Sequence, residues 1–347
     1  MQAFSYANPS SLNDAIALLS TKWGDTEILA GGTDLLSRMK DGVSTPERVV
    51  NIKHVEELRQ IRVSGFDDSN PDRKKEADGG YRIGSLVTFE ELLAHGALAK
   101  QFPAISEAVR GVSSPQIRNT GTVGGDLLQR PRCWFYRGGY GLLAQDEKGK
   151  SLVPGGDNRY HAIFGNAGPA YFVSPSSLGP ALVALDAKLK LQSASGSREI
   201  AAAEFFVTPK SNDEREHAIK PDELLTEIVL PAAAREWRNA TYEVREKMAL
   251  DWPLATASVA LKMDGSKISS ARIVLGHVAP TPWSARAAEK SLEGKSLDEA
   301  SAAAAGDAAV SDAKPLSHNE YKVQLARVSV KRALLAAGNS AEKGAKA

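Results

Sequence analysis

Two short clusters of glycine and hydroxyl residues constrain this chain more than any other feature. The first is Ala30-Gly31-Gly32-Thr33-Asp34, and the second is Asn119-Thr120-Gly121-Thr122-Val123-Gly124-Gly125-Asp126. Glycine lets a backbone approach a ligand closely and point successive N–H groups at it. The flanks of the first cluster set its context. Leu12, Ala15, Ile16 and Leu19 give an amphipathic helix within 11–20. Residues 27–30 read as a strand, Asp34 stands at an N-cap position for a helix through Leu35, Leu36 and Met39, and 48–52 read as a second strand. Helix, strand, glycine turn, helix, strand is an α/β unit that favours parallel strands. A helix starting at Asp34 adds a favourable dipole for phosphate. Two such loops suit a pyrophosphate wrapped from two sides, and either alone suits an ordinary tight turn. Asp34 and Asp126 repel phosphate, so they read as caps or as partners of ribose hydroxyls and loop amides.

The rest of the chain divides by composition. Residues 67–80 (DDSNPDRKKEADGG) read as a solvated hairpin tip or loop. A strand at 81–86 follows, then a helix capped by Thr88 and another at 104–110. The stretch 113–129 is polar, glycine-punctuated and reads as irregular. From Arg130 to Gly168 glycines interleave with Trp134, Phe135, Tyr136, Tyr140, Tyr160 and Phe164, as in a long ordered loop or insertion. Further strands are expected at 170–174, 188–193 and 224–230, with a helix at 178–185. Three successive strands follow at 241–247, 256–263 and 271–278. Alanine-rich helices close the chain, the last opening on a Ser317-x-x-Glu320 capping box and running to about Ala337. Four parts result: 1–55, 56–222 with an insertion at 130–168, 223–337, and a frayed tail at 338–347.

Composition excludes several classes. Lys+Arg is 43 and Asp+Glu is 42, so no basic field exists to hold nucleic acid. Cys133 is the only cysteine, which excludes an intramolecular disulfide and any all-cysteine zinc or iron–sulfur site. The six histidines show no metal-ligand spacing. No apolar run approaches the ~18 residues of a membrane span. No basic stretch leading into an apolar one opens the chain, so a protein made in the cytoplasm is the default. Gly139-Tyr140-Gly141-Leu142-Leu143-Ala144 fits GxGxxA, but Gly149, Pro154, Gly155 and Gly156 forbid the helix that a dinucleotide fold needs next.

Several segments are similar to one known family. ILAGGTDLLSRMK, SSPQIRNTGTVGGDL, YFVSPSSLGPALVALDAKL and ARIVLGHVAPTPWSARAAE together resemble the FAD-binding subunit of the xanthine dehydrogenase and carbon monoxide dehydrogenase family of molybdenum hydroxylases. The resemblance runs from Phe4 to about Ala336. It implies an α+β fold of the vanillyl-alcohol-oxidase (PCMH) type, with FAD held between two subdomains and a C-terminal antiparallel sheet plus helical bundle. It implies that Leu29, Ala30, Gly31, Gly32, Thr33, Asp34 and Leu35 wrap the pyrophosphate. Asn119, Gly121, Thr122, Val123, Gly124, Gly125 and Asp126 would hold it from the other side. Val112 falls near the adenosine half, and Ser177 stands where relatives often carry an aspartate. Asp251 and Trp252 align with a segment that approaches the isoalloxazine, with Lys247 and Arg245 as cations nearby.

GGDLLQRPRCWFYRGG resembles a subfamily that includes periplasmic-type aldehyde-oxidising enzymes and 4-hydroxybenzoyl-CoA reductase. Those relatives carry four cysteines and a [4Fe–4S] cluster in the insertion. With Cys133 alone this chain cannot, so the insertion reads as a cluster-free cap over the flavin or a docking surface. The implied role is electron transfer: FAD here, a small [2Fe–2S] subunit and a large molybdenum cofactor (molybdopterin) subunit as partners, and no metal and no catalytic residue in this chain. A signal on such a partner would permit export to the periplasm. The alternatives are a free-standing flavin oxidase of the same fold and a flavin-free assembly scaffold.

Overall fold

Three sheets order the chain in the computed structural model, which describes residues 1–63, 79–112, 114–247 and 251–344. The first sheet comes from β1 (Ser5–Ala7), α1 (Leu12–Ala17), β2 (Thr26–Leu29), α2 (Leu35–Lys40) and β3 (Arg48–Asn51). Its order is β1-β3-β2 and both pairings are parallel, as the alternation of helix and strand demands. The Ser11 hydroxyl caps α1 by accepting from the Asp14 amide, and Ala15 and Ile16 pack beneath Val50, Val55 and Leu58.

The middle part begins with β4 (Ile61–Val63) and β5 (Tyr81–Gly84). Eight short helices follow in chain order: α3 (Phe89–Ala94), α4 (Gly96–Gln101), α5 (Pro103–Arg110), α6 (Pro115–Thr120), α7 (Val123–Leu128), α8 (Trp134–Arg137), α9 (Leu178–Ala184) and, after β6 (Lys188–Ser193) and β7 (Gly196–Ala201), α10 (Ala202–Phe205). Then comes β8 (Leu224–Leu230), and the sheet order is β4-β5-β8-β6-β7, antiparallel throughout. Thr88 caps α3, as the sequence predicts, and Glu91 completes a reciprocal capping box with it.

The C-terminal part has β9 (Arg238–Arg245), β10 (Pro253–Asp264), β11 (Lys267–Gly276) and β12 (Trp283–Ser284), antiparallel in the order β12-β11-β10-β9. Helices α11 (Arg286–Leu292), α12 (Glu299–Ala309) and α13 (Tyr321–Gly344) cover one face. Side chains alternate across a strand. Ala257, Val259 and Leu261 of β10 therefore join Leu292, Ala305, Val330 and Leu334 on the helical side, while Ala260 joins the middle core. Both faces of β10 are thus covered, which binds the middle and C-terminal parts into one packed unit. A glycine lets α12 and α13 lie close: a Cβ on Gly306 would lie 2.7 Å from the Arg327 carbonyl oxygen.

Several expectations are corrected. Of the stretch 113–129, the described residues from Ser114 on are not irregular: Ser114 and Thr122 each cap a six-residue helix by accepting from the amide three residues on. Residues 170–174 form no strand, although Ser174 N–H donates to the Ala279 carbonyl. Ser317 does not start the last helix, because its hydroxyl accepts from Asn158; α13 opens at Tyr321 and continues past Ala337 into the expected tail. Strand β8 pairs with β5 and β6 in the middle sheet, not with the strands that follow it. Of the segment 67–80, residues up to 78 lie outside the described residues.

Candidate functional site

The two glycine loops meet. A Cβ on Gly31 would lie 2.2 Å from the Thr120 carbonyl oxygen and 3.1 Å from the Gly121 Cα, so only glycine permits this approach. A cavity of about 290 Å³ opens where they touch, walled also by Trp23, Phe89, Gly111, Val112, Ser177, Arg215 and Trp252.

The loops play different parts. Among the described residues, the backbone N–H groups of Gly31, Gly32, Thr33 and Asp34 donate to no protein acceptor. Gly31, Gly32 and Asp34 are half-buried and Thr33 is exposed; half-buried N–H groups need partners, so this loop offers a row of donors to whatever enters. The second loop does not. Its amides at Val123 and Gly124 donate to the Val87 and Ser85 carbonyls at 2.9 Å, and Gly125 N–H donates to the Thr122 hydroxyl at 3.1 Å. Gly124 is glycine because a Cβ there would lie 2.8 Å from the Ser85 Cβ. Its glycines seat the loop on the turn before α3 and shape the cavity wall. The dipole expected at Asp34 is also slight, since α2 has only six residues.

The two aspartates are structural. Asp34 makes no cap bond. Its carboxylate meets Arg137 Nη2 at 2.7 Å, Arg132 Nη1 at 2.8 Å and Arg38 Nε at 3.2 Å, and accepts from the Arg130 amide at 3.1 Å. Burial works to raise its pKa, but these guanidiniums hold it below the ordinary value. Asp126 is buried and accepts from the Ser176 hydroxyl, the Leu178 amide at 3.0 Å and Gln129 Nε2 at 3.0 Å. Burial raises its carboxyl. The expected partnering of backbone amides is present, at the start of α9.

Of the residues predicted from sequence, Ala30 through Leu35, Val112, Gly121, Thr122, Gly124, Gly125, Asp126, Ser177, Asp251 and Trp252 line the cavity. Leu29, Asn119, Val123 and Lys247 do not. Leu29 ends β2 and packs with Leu35 and Met39. Asn119 is exposed and folds back to donate to the Pro115 carbonyl at 2.8 Å. Val123 is fully buried in the middle core. Lys247 is exposed, with its amide on Asp251. Arg245 is locked against Glu243 beneath Gly111. Burial pushes the Glu243 carboxyl up to about 7 despite that partner.

Residues not anticipated complete the wall. Arg132 lies 4.5 Å over the Trp252 ring, and burial pushes its guanidinium down to about 10. Arg38 pairs with Glu27 at 3.0 Å, and Arg130 pairs with buried Glu216. The run Arg130-Pro131-Arg132, directly after the second loop, was the available signal. Tyr136, Leu142 and Leu143 of the insertion form a small core with Ala170 and Phe172, which follow it. Cys133 Sγ lies 3.2 Å from His161 Nε2, and burial pushes the thiol up. Among the described residues no group of three or more His, Cys, Asp and Glu gathers as for a metal, and no helix is long and apolar enough to cross a membrane.

A family profile described as the FAD binding domain in molybdopterin dehydrogenase matches residues 2–233, and one described as the CO dehydrogenase flavoprotein C-terminal domain matches 240–337. The chain belongs to this family. It is an FAD-binding medium subunit of the molybdenum hydroxylase type, and so part of an oxidoreductase. The carbon monoxide dehydrogenase medium chain of Hydrogenophaga pseudoflava is 28% identical over 96% of each chain. The aldehyde oxidoreductase FAD-binding subunit PaoB of Escherichia coli is 29% identical over 94% of this chain and 96% of that one. A crystal structure of the Cu,Mo-CO dehydrogenase superposes with a TM-score of 0.73 at 27% identity, covering 98% of this chain and 99% of that chain. The mixed helix and sheet architecture with an antiparallel C-terminal sheet is that of these subunits. The residues present fit the cofactor: one loop presents donors without acceptors, and a second loop closes the opposite wall without competing for them.

Proposed function

We propose that this chain holds one FAD in the cavity between its glycine loops and passes electrons from the iron–sulfur clusters of a small [2Fe–2S] subunit to an external acceptor. A large molybdenum cofactor subunit would carry the substrate chemistry. The row of unpartnered N–H groups from Gly31 to Asp34 carries this reading. Four consecutive donors beside a cavity suit the oxygens of a pyrophosphate and little else of that size. FAD supplies the exchange between single-electron and paired-electron transfer, and the protein's part is to bind, orient and shield it.

In this reading the first loop takes the pyrophosphate, and Gly121, Thr122, Gly124 and Gly125 shape the opposite wall. Val112 gives an apolar surface to the adenosine half, and Ser177 lies close to the nucleotide. Trp252 covers the ring by stacking, with Asp251 fixing its loop. We read the fold as PCMH-type, with a first subdomain at 1–55, a middle subdomain that extends through β8, and a C-terminal domain from β9 to α13.

The test is direct. The purified chain is treated with acid, and the released material is identified by absorbance and mass. One FAD per chain, without iron, is the expected result. No flavin after incubation with excess FAD would overturn the reading and leave a scaffold.

A further inference from the structure

We infer that Arg132, contributed by the insertion, is a further anchoring residue of the nucleotide site, a guanidinium that takes diphosphate oxygens beside the first glycine loop. The inference rests on the FAD reading and adds a residue and a role to it. Arg132 lines the cavity together with Gly31, Gly32 and Thr33. Its orientation is set from three sides. Nη1 meets Asp34 Oδ1 at 2.8 Å, Nη2 donates to Gln129 Oε1 at 2.9 Å, and Cζ lies 4.5 Å from the Trp252 ring centroid. One N–H on each Nη remains, on a side chain that is 27% exposed, while Nε is enclosed by protein without an acceptor.

A guanidinium carries five donors in a rigid fork and no acceptor. The neighbouring loop adds the unpartnered backbone N–H groups from Gly31 to Asp34. A ligand that satisfies both must be rich in acceptor oxygens and negatively charged. Asp34 is the obstacle, because a carboxylate within a diphosphate loop repels its ligand. The guanidiniums of Arg38, Arg132 and Arg137 surround that carboxylate and offset it. Two of those three come from the insertion, so the insertion is part of the nucleotide site and not only a cover over it. Charge-assisted, planar contacts of this kind are the stronger class of hydrogen bond.

The experiment uses the full chain stripped of flavin and compares three ligands: FAD, ADP and riboflavin. ADP shares the diphosphate, and riboflavin has the ring without it. Arg132→Gln is expected to weaken FAD and ADP by about tenfold or more, with riboflavin changed by less than about twofold. Arg132→Lys keeps a positive charge but loses the fork, and is expected to weaken FAD and ADP by a smaller factor, again without an effect on riboflavin. Circular dichroism and a thermal melt check that each variant folds. Should the glutamine variant fail to fold, the lysine variant decides alone by the same ligand comparison. A folded variant that binds FAD like the parent overturns the role of Arg132 while the FAD reading stands. Equal weakening of riboflavin and FAD overturns it too, since the contact would then be to the ring. A parent chain that binds neither FAD nor ADP overturns both readings together.

Discussion

Gly31 and Thr120 touch backbone to backbone: a methyl group added at Gly31 would lie 2.2 Å from the Thr120 carbonyl oxygen. This contact joins the loop after β2 to the start of the second loop and so sets the width of the cavity. The neighbour is backbone at a helix C-terminus, and it cannot rotate away as a side chain does.

Gly31→Ala is therefore expected to lose flavin and to cost about 1–3 kcal/mol of stability, the usual cost of overpacking. Gly24→Ala is the control. Gly24 has φ +94° but nothing within 4 Å of an added Cβ, so it pays backbone strain without moving either loop. Flavin content and melting temperature of the two variants separate the effects. A Gly31→Ala chain that retains full flavin would show that the two loops need not touch.

Trp252 gives a prediction complementary to that for Arg132. The ring is 44% exposed and contacts the Arg132 guanidinium. Trp252→Leu forfeits a half-exposed cation–π contact, about 0.5–1 kcal/mol, so stability is expected to change little. If Trp252 covers the isoalloxazine, riboflavin and FAD affinities fall together while ADP affinity holds. Loss of ADP affinity with riboflavin unaffected would place Trp252 at the nucleotide end instead.

The sequence made some of this legible and concealed the rest for physical reasons. The α/β unit at 12–51 was readable because its apolar periodicity, glycine turn and strand spacing all agree, whereas the three-residue edge strand β1 carries no pattern long enough to read. The paired glycines were readable as loops, but a sequence cannot say which amides are already used. Gly124 and Gly31 look alike in composition, yet one serves packing on Ser85 and the other leaves donors open. Asp34 reads as a cap because of its position before an apolar helix face. Arg38 one turn on and two arginines hidden in the insertion override that local preference. Strand β8 was found, but its place between β5 and β6 is a long-range pairing that no local pattern encodes.

Lys322 is buried in α13 and donates to the carbonyls of His277, His161 and Tyr160 at 2.7, 3.2 and 3.3 Å. It ties the last helix to the insertion and to the end of β11. Burial pushes its ammonium down to about 7. An unfolded lysine titrates near 10.4, so between these values the unfolded chain binds a proton that the folded chain does not. Stability is therefore expected to gain up to about 1.4 kcal/mol per pH unit from this group as pH rises from 7 toward 10. Lys322→Met removes that slope. It also leaves three carbonyls short of a donor, at about 1–3 kcal/mol for each one left wholly unpaired. Urea titrations of both proteins at pH 7, 8 and 9 measure the slope. Parallel curves would show that Lys322 titrates normally.

His277, whose carbonyl accepts from Lys322, gives the acid-side counterpart. It is buried at φ +62° with Nδ1 2.9 Å from the Thr256 hydroxyl. Burial, with the charge of Lys322 adding to it, pushes its pKa down to about 3, and burial pushes His161 and His217 down to about 4. Unfolded histidine titrates near 6.5. Stability from these groups is thus complete above pH 6.5 and lost as pH falls toward 4, because the unfolded chain takes up protons that the folded chain refuses. Glu243 opposes this, since a carboxyl raised to about 7 binds its proton earlier when folded. It offsets about one of the three histidines. The net expectation is a loss of stability on acidification from pH 6.5 to 4.5. His277→Asn isolates one contribution. Asparagine tolerates the left-handed backbone, so the variant keeps the turn while it loses the titration and the ring's contact with Thr256. Its stability at pH 7 is expected to stay within about 1–2 kcal/mol of the parent. Its slope between pH 6.5 and 4.5 is expected to be shallower by about 1.4 kcal/mol per pH unit. Denaturant titrations across that range check both numbers. An unchanged slope would mean that His277 is protonated in the folded chain, with Thr256 accepting its proton.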